Sequence, residues 1–190
     1  MARERKFSIQ ELFAETREIL LQNGYEGFTF SVLADRMNVS RGTLYKYYEN
    51  KEELITEYMM HEMNSFLGEL KQLEEHKTFE AQFDFIIDLI FKNMEIHQLI
   101  MVAEQISKYS NEKVKTNKEQ LKMLHFKMFT FLRNFVVLGK KEGKLRTDIP
   151  DELVLGFVFQ TINIPNHHKV PLIEWVAWIK EILRNGMFTK

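Results

Sequence analysis

The sequence predicts an all-α protein, and three observations carry that expectation. Apolar residues recur at helical spacing along almost the whole chain. Phe83, Ile86, Ile87, Ile90, Phe91 and Met94 follow i, i+3, i+4, i+7, i+8, i+11. The three prolines, at 150, 165 and 171, all fall in the last quarter. No run of alternating apolar and polar residues is bounded by turn residues, as a strand would be. With 190 residues, 45% apolar and 28% charged, the chain can fill a sizeable core and lacks the composition of a disordered segment.

The elements follow in order. The first helix carries Ile9, Leu12, Phe13, Thr16, Ile19 and Leu20 on one stripe. It stops at Asn23-Gly24, where glycine can take a left-handed conformation. Thr29 is placed to cap a short helix with Val32, Leu33 and Met37. Asn38 tolerates a left-handed turn, Val39 points into the core, and Ser40 caps a third helix. Three short helices within about 45 residues, the last two joined by a tight turn, describe a helix-turn-helix. Asn50 opens a fourth helix, with Glu53 three residues on in the manner of a capping box.

Beyond residue 50 the chain consists of long helices rich in Phe and Met. Met123 to Leu138 is apolar nearly all round, the pattern of a helix enclosed on most sides. Pro150 fits the first turn of a helix capped by Asp148. Residues 165–171 read as a loop, and the last helix runs from about Leu172 to Asn185, ending at Gly186. The domains divide near residue 50, into 1–50 and 51–190. No Gly/Ser linker marks the boundary, so the fourth helix belongs to both.

Several function classes are excluded. The chain has no cysteine, which removes disulfides, zinc-thiolate sites and a cysteine nucleophile, and suits a reducing cytoplasm. The basic start, Met-Ala-Arg-Glu-Arg-Lys, leads into no apolar signal region, and no run approaches the roughly 18 apolar residues of a membrane span. The histidines at 61, 76, 97, 125, 167 and 168 lack a glutamate three residues before them. There is no H-E-x-x-H, no phosphate-binding G-x-x-x-x-G-K-[ST] and no G-x-G-x-x-G. No enzyme activity, metal site or cofactor is expected.

Residues 24–54 read GYEGFTFSVLADRMNVSRGTLYKYYENKEEL. A major groove about 12 Å wide admits one helix, whose N-terminal residues reach base edges. Arg41 suits bidentate pairing with guanine, and Thr43 offers a hydroxyl or a methyl to thymine. Gly42 removes a side chain where backbone must approach DNA. Ser40 starts the reading helix. Thr29, Tyr45, Tyr47 and Lys51 suit phosphates, Lys46 adds charge, and Tyr48 packs. The stretch resembles the DNA-binding region of the tetracycline-repressor (TetR/AcrR) family of bacterial regulators. The shared features are Gly-Tyr-x-Gly, Thr29, Leu33-Ala34, Val39-Ser40, Gly42, Leu44-Tyr45, the aromatic at 48, Lys51-Glu52 and Leu54. Asn38 stands where glycine is commoner, and Tyr47-Tyr48 where a His-Phe pair is frequent. The resemblance covers the N-terminal quarter; beyond it, only helical character and length are shared.

Charge constrains how such a module works. The whole chain carries a net −1. Residues 1–50 hold seven bases (3, 5, 6, 17, 36, 41, 46) and seven acids (4, 11, 15, 18, 26, 35, 49), yet residues 36–48 hold three bases and no acid. One copy would bind weakly, which points to a dimer reading a palindromic operator with its two helices about 34 Å apart.

The larger domain has surplus apolar surface. Leu172, Trp175, Val176, Trp178, Ile179, Ile182 and Leu183 span roughly 160° of the last helix, wider than the ~100° that one core face needs. Leu153, Val154, Leu155, Phe157, Val158 and Phe159 also exceed one face. The resemblance implies a homodimer through these last two helices. It also implies a small apolar effector between the middle helices, for which Phe83, Ile87, Phe91, Met94, Met101, Met123, Phe126, Phe129 and Phe157 are candidate linings, with His97, His125 and Glu104 as polar anchors. The expected function is a ligand-responsive transcriptional repressor. The alternative is a helical small-molecule-binding protein with a relic N-terminal module.

Overall fold

In the computed structural model residues 7–95, 106 and 111–187 are described, and the regular elements among them are helices. They are α1 (Ile9–Gly27), α2 (Phe30–Arg36), α3 (Arg41–Leu44), α4 (Lys51–Leu70), α5 (Phe79–Lys92), α6 (Glu112–Lys141), α7 (Asp151–Gln160) and α8 (Leu172–Met187). Short 3-10 turns follow α4 (Lys71–Glu75) and α7 (Thr161–Asn163). Two compact units form: Met1–Asn64 with Glu95–Leu124, and Ser65–Met94 with His125–Lys190.

In the first unit, local chemistry sets the boundaries. Ser8 caps α1 in a reciprocal box. Its Oγ accepts the Glu11 N–H at 3.1 Å, and Glu11 accepts the Ser8 N–H at 2.7 Å. Gly24 breaks α1 with φ 67° and ψ −174°, a region costly for any residue with a Cβ, and one further turn follows to Gly27. Thr29 accepts the Val32 N–H at 3.2 Å, and Ser40 accepts the Thr43 N–H at 3.2 Å, so both expected caps form. Between α2 and α3, Asn38 adopts φ 52°. The Val39 N–H reaches Ala34 O at 2.9 Å and the Asn38 N–H reaches Asp35 O at 3.2 Å. This is a Schellman ending with asparagine in the usual glycine position. Leu12, Ile19, Leu33, Leu44, Leu54 and Ile55 close the core beneath.

In the second unit, Phe79 of α5 stacks on Phe135 of α6 at 4.8 Å. Gly139 permits this approach, because a Cβ there would lie 2.6 Å from the Phe79 ring. Arg184 of α8 donates to Asp84 of α5 at 2.5 Å, and Lys180 bridges Asp84 (3.3 Å) and Asp88 (2.7 Å).

Several expectations need correction. Asp148 does not cap α7: it accepts from Arg146 at 2.6 Å and 3.1 Å, while the N-cap, Pro150, has no side-chain hydrogen bond. Asp148 lies two residues before the N-cap and pairs with Arg146 instead. Glu53 reaches back one residue further than a capping box, accepting the Glu49 N–H at 2.8 Å, while Asn50 accepts the Glu53 N–H at 2.9 Å. α8 continues through Gly186 to Met187. The stretch from Met123 to Leu138 is not enclosed: Met123, Phe126, Phe129 and Val137 are exposed. Periodicity marks a surface as apolar without saying whether the same chain covers it. Of the candidate linings, Phe83, Ile87 and Phe91 are buried and Met94 is half-buried, whereas Met123, Phe126, Phe129 and Phe157 face outward. Met101, His97 and Glu104 lie outside the described residues.

Candidate nucleic-acid interface

The helix-turn-helix sorts its side chains by polarity. Leu33, Ala34, Leu44 and Tyr48 are buried, and Arg41, Gly42, Tyr45 and Lys46 are exposed on the other side. Tyr48, 2% exposed, is the packing tyrosine, and its hydroxyl donates to Glu57 at 3.3 Å. Tyr47 is half-buried and meets Phe7 edge-on at 5.7 Å. Tyr45 is 57% exposed; its ring rests edge-on against Phe30 at 5.0 Å and its phenol end faces solvent.

At the start of α3, Arg41 extends into solvent with one guanidinium N–H 3.4 Å from Ser31 Oγ. Gly42 is not required by internal packing, since a Cβ there would meet only Ser40 Oγ at an ordinary 3.9 Å. Thr43 is 8% exposed and its hydroxyl is shared with Ser40 Oγ at 2.9 Å, so it braces the first turn of α3. Ser31 was not anticipated. It sits two residues after the Thr29 cap, and only the fold brings it beside Arg41.

Lys51 begins α4 and is tied inward. Its Nζ donates to Tyr25 O at 2.8 Å and lies 4.0 Å from the centre of the Tyr25 ring. The Tyr25 hydroxyl donates to Glu52 at 2.6 Å. Burial and that carboxylate push the Tyr25 phenol well above its ordinary pKa, so it stays a donor. The Tyr25 carbonyl, just past the Gly24 break, thus accepts both the Phe28 N–H at 3.3 Å and a lysine 26 residues on.

The exposed residues form a polar, partly cationic surface around a helix N-terminus, which is the chemistry of a groove-reading element. Residues 12–58 match the family described as bacterial regulatory proteins, tetR family. These residues carry a TetR-family DNA-binding region, as a transcriptional regulator does. It is 22% identical over 181 residues to the fatty acid metabolism regulator protein of Bacillus subtilis (strain 168), covering 91% of this chain and 92% of that one. Its fold resembles that of the ketosteroid transcriptional regulator KstR2 of Mycobacterium tuberculosis, with TM-score 0.75, 15% identity and 98% of each chain covered. It also resembles the transcriptional regulator FadR from Bacillus subtilis, solved in complex with stearoyl-CoA, with TM-score 0.69, 18% identity, and 94% of this chain and 99% of that one covered. TetR-family regulators bind DNA operators and act as dimers. Among the described residues, no helix of this regulator is long and apolar enough to cross a membrane.

Proposed function

We propose that this regulator is a cytoplasmic repressor without enzyme activity, which grips a palindromic operator as a homodimer and is released by an apolar effector. The carrying observation is the division of the α3 segment, with its apolar side chains buried and Arg41, Gly42, Tyr45 and Lys46 outward. In this reading Arg41 reads a base edge. Tyr45, Lys46, Tyr47, Lys51 and Thr29 bear on phosphates. Ser40 and Thr43 hold the reading helix, and the backbone at Gly42 comes close to the DNA. Residues 1–50 form the DNA-binding part and 51–190 the effector and dimerisation part.

The dimer forms through α7 and α8, where Leu153, Phe157, Leu172, Ile173, Trp178 and Ile182 are exposed in the single chain. The effector class is a long acyl chain. A relative is a fatty acid metabolism regulator, and a structure of the same fold carries stearoyl-CoA. The proposed lining keeps Phe83, Ile87, Phe91 and Met94, and Phe126, Phe129 and Phe157 of the same unit supply apolar surface that a chain covers on binding. Release requires that the effector favour one arrangement of the reading helices over the other.

A gel shift with the DNA upstream of its own gene tests this. Wild type should retard the fragment, Arg41→Ala should not discriminate it from random DNA, and stearoyl-CoA should release it. Absence of any retarded wild-type complex would overturn the DNA-binding reading. A complex indifferent to stearoyl-CoA would remove the acyl effector alone.

A further inference from the structure

Within the first unit, the segment that follows the reading helix is fastened to α4 by two carboxylates. Glu53 is 4% exposed. One of its oxygens accepts the Glu49 N–H at 2.8 Å, and the other meets Lys113 Nζ at 2.5 Å. Glu57 accepts the Tyr48 hydroxyl at 3.3 Å and lies 3.7 Å from the same Nζ. Both anchors of residues 48–49 therefore share one ammonium, which comes from the first turn of α6. The same two turns of α6 add more ties. Asn111, which caps α6 by accepting the Val114 N–H at 2.8 Å, donates to Glu49 at 2.9 Å. Asn117, 5% exposed, donates to Thr56 Oγ1 at 2.9 Å, and Thr56, 0% exposed, passes its own proton to Glu52 O at 2.8 Å.

A buried carboxylate stripped of its cation is far more costly than a lost surface pair, because it is left desolvated and uncompensated. Without Lys113, the buried Glu53 carboxylate loses its cation and is drawn outward to water. Turning outward would surrender the Glu49 N–H that holds the end of the reading segment. None of Lys113, Asn117 or Thr56 belongs to the surface that would face DNA.

We propose that Lys113 and Asn117 of α6 are positioning residues for operator binding, holding the helix-turn-helix in its reading orientation through Glu53, Glu57 and Thr56 without touching DNA. This rests on the operator-binding reading above and adds a second, remote determinant of affinity to it. Any displacement of the start of α6 would then change operator affinity through the same five side chains.

The test measures operator affinity by fluorescence anisotropy across a salt series, on full-length protein well below its melting temperature, with the active fraction fixed by stoichiometric titration. Lys113→Met should weaken operator binding by about tenfold or more, the coupling size usual for contacting network residues. The slope of log affinity against log salt should stay at the wild-type value, since no phosphate contact is lost. Lys113→Arg should restore binding. Glu53→Gln in the Lys113→Met background should recover most of it, because a neutral amide oxygen still accepts the Glu49 N–H and needs no cation. Asn117→Leu, which leaves the ion pair intact, should weaken binding with the same unchanged slope, and it serves where Lys113→Met folds poorly. Affinity unchanged in Lys113→Met and Asn117→Leu overturns the proposal, as does a slope reduced by one unit in Lys113→Met or no recovery with Glu53→Gln. If wild type itself shows no operator preference and Arg41→Ala changes nothing, the DNA-binding reading has failed instead.

Discussion

The surface around α3 and the surface of α7 and α8 are both exposed, but they are built for opposite partners. Around α3 the outward residues are Arg41, Gly42, Tyr45 and Lys46, while large apolar side chains such as Leu44 and Tyr48 turn inward. On α7 and α8 the outward set includes Phe157, Ile173, Trp178 and Ile182, 53–87% exposed. The first surface loses little by staying wet, which suits the hydrated polyanion proposed as its partner. The second is apolar well beyond what scattered exposed residues account for, and covering it yields about 25 cal/mol for each Å² removed from water. One chain thus carries an electrostatic face that tolerates dissociation and a hydrophobic face that resists it, as the proposed dimer with reversible DNA binding requires.

The largest effect should come from charging the apolar face. Ile182→Asp together with Trp178→Asp should raise the dimer dissociation constant on the order of 100-fold or more, since a carboxylate buried without a partner costs several kcal/mol. Sedimentation equilibrium measures this. A wild-type protein already monomeric at micromolar concentration would erase the distinction between the two faces. Next in size is the polar face: Arg41→Ala should cut discrimination between operator and random DNA by about 1–3 kcal/mol, read from competition binding, with folding stability unchanged. Equal losses on both DNAs would make Arg41 a phosphate contact instead.

How far these faces were legible beforehand differs between them. The reading segment follows local rules. Thr29 and Ser40 cap, Asn38 takes a left-handed turn, Gly24 breaks a helix, and each lies within a few residues of the group it serves. The ties that brace the segment are not local. Lys113 lies 60 residues from Glu53, Asn117 lies 61 from Thr56, and nothing in a stretch such as Glu112-Lys113-Val114 announces a partner. The candidate effector lining divides into buried and exposed members for another reason. Phe83 and Phe126 sit in equally apolar helical patterns, yet one is 1% and the other 71% exposed. Helical period reports which face is apolar, and only the tertiary fold decides what covers it.

A smaller effect concerns Tyr58. It is 1% exposed, its ring lies 5.6 Å from Phe13, and among the described residues its hydroxyl has no hydrogen-bond partner. Burial, with Glu62 adding to it, pushes this phenol above its ordinary pKa, so it stays neutral. Tyr58→Phe should raise stability by about 1 kcal/mol, the penalty of an unsatisfied buried hydroxyl, seen as a higher urea midpoint at constant slope. A lower midpoint would mean that the hydroxyl has a partner in solution.

The smallest effects separate the two lysines that flank the end of the reading segment. Lys46 is exposed on the polar face, whereas Lys51 is half-buried with its ammonium on Tyr25 O at 2.8 Å. An ammonium has three donors, so Lys51 can hold that carbonyl and still offer hydrogens to a phosphate. Each phosphate neutralised contributes about 0.9 to the slope of log affinity against log salt. Lys46→Ala should lower that slope by about 1 for each protomer, about 2 for the dimer, and leave stability alone. Lys51→Ala should lower it similarly and also lower the melting temperature, because the Tyr25 carbonyl loses one of its two donors and the Tyr25 ring loses its cation. A Lys51→Ala protein that melts earlier but keeps the full slope would place Lys51 among the residues that hold the module together, and leave Lys46 to carry the phosphate contact at that end of the segment.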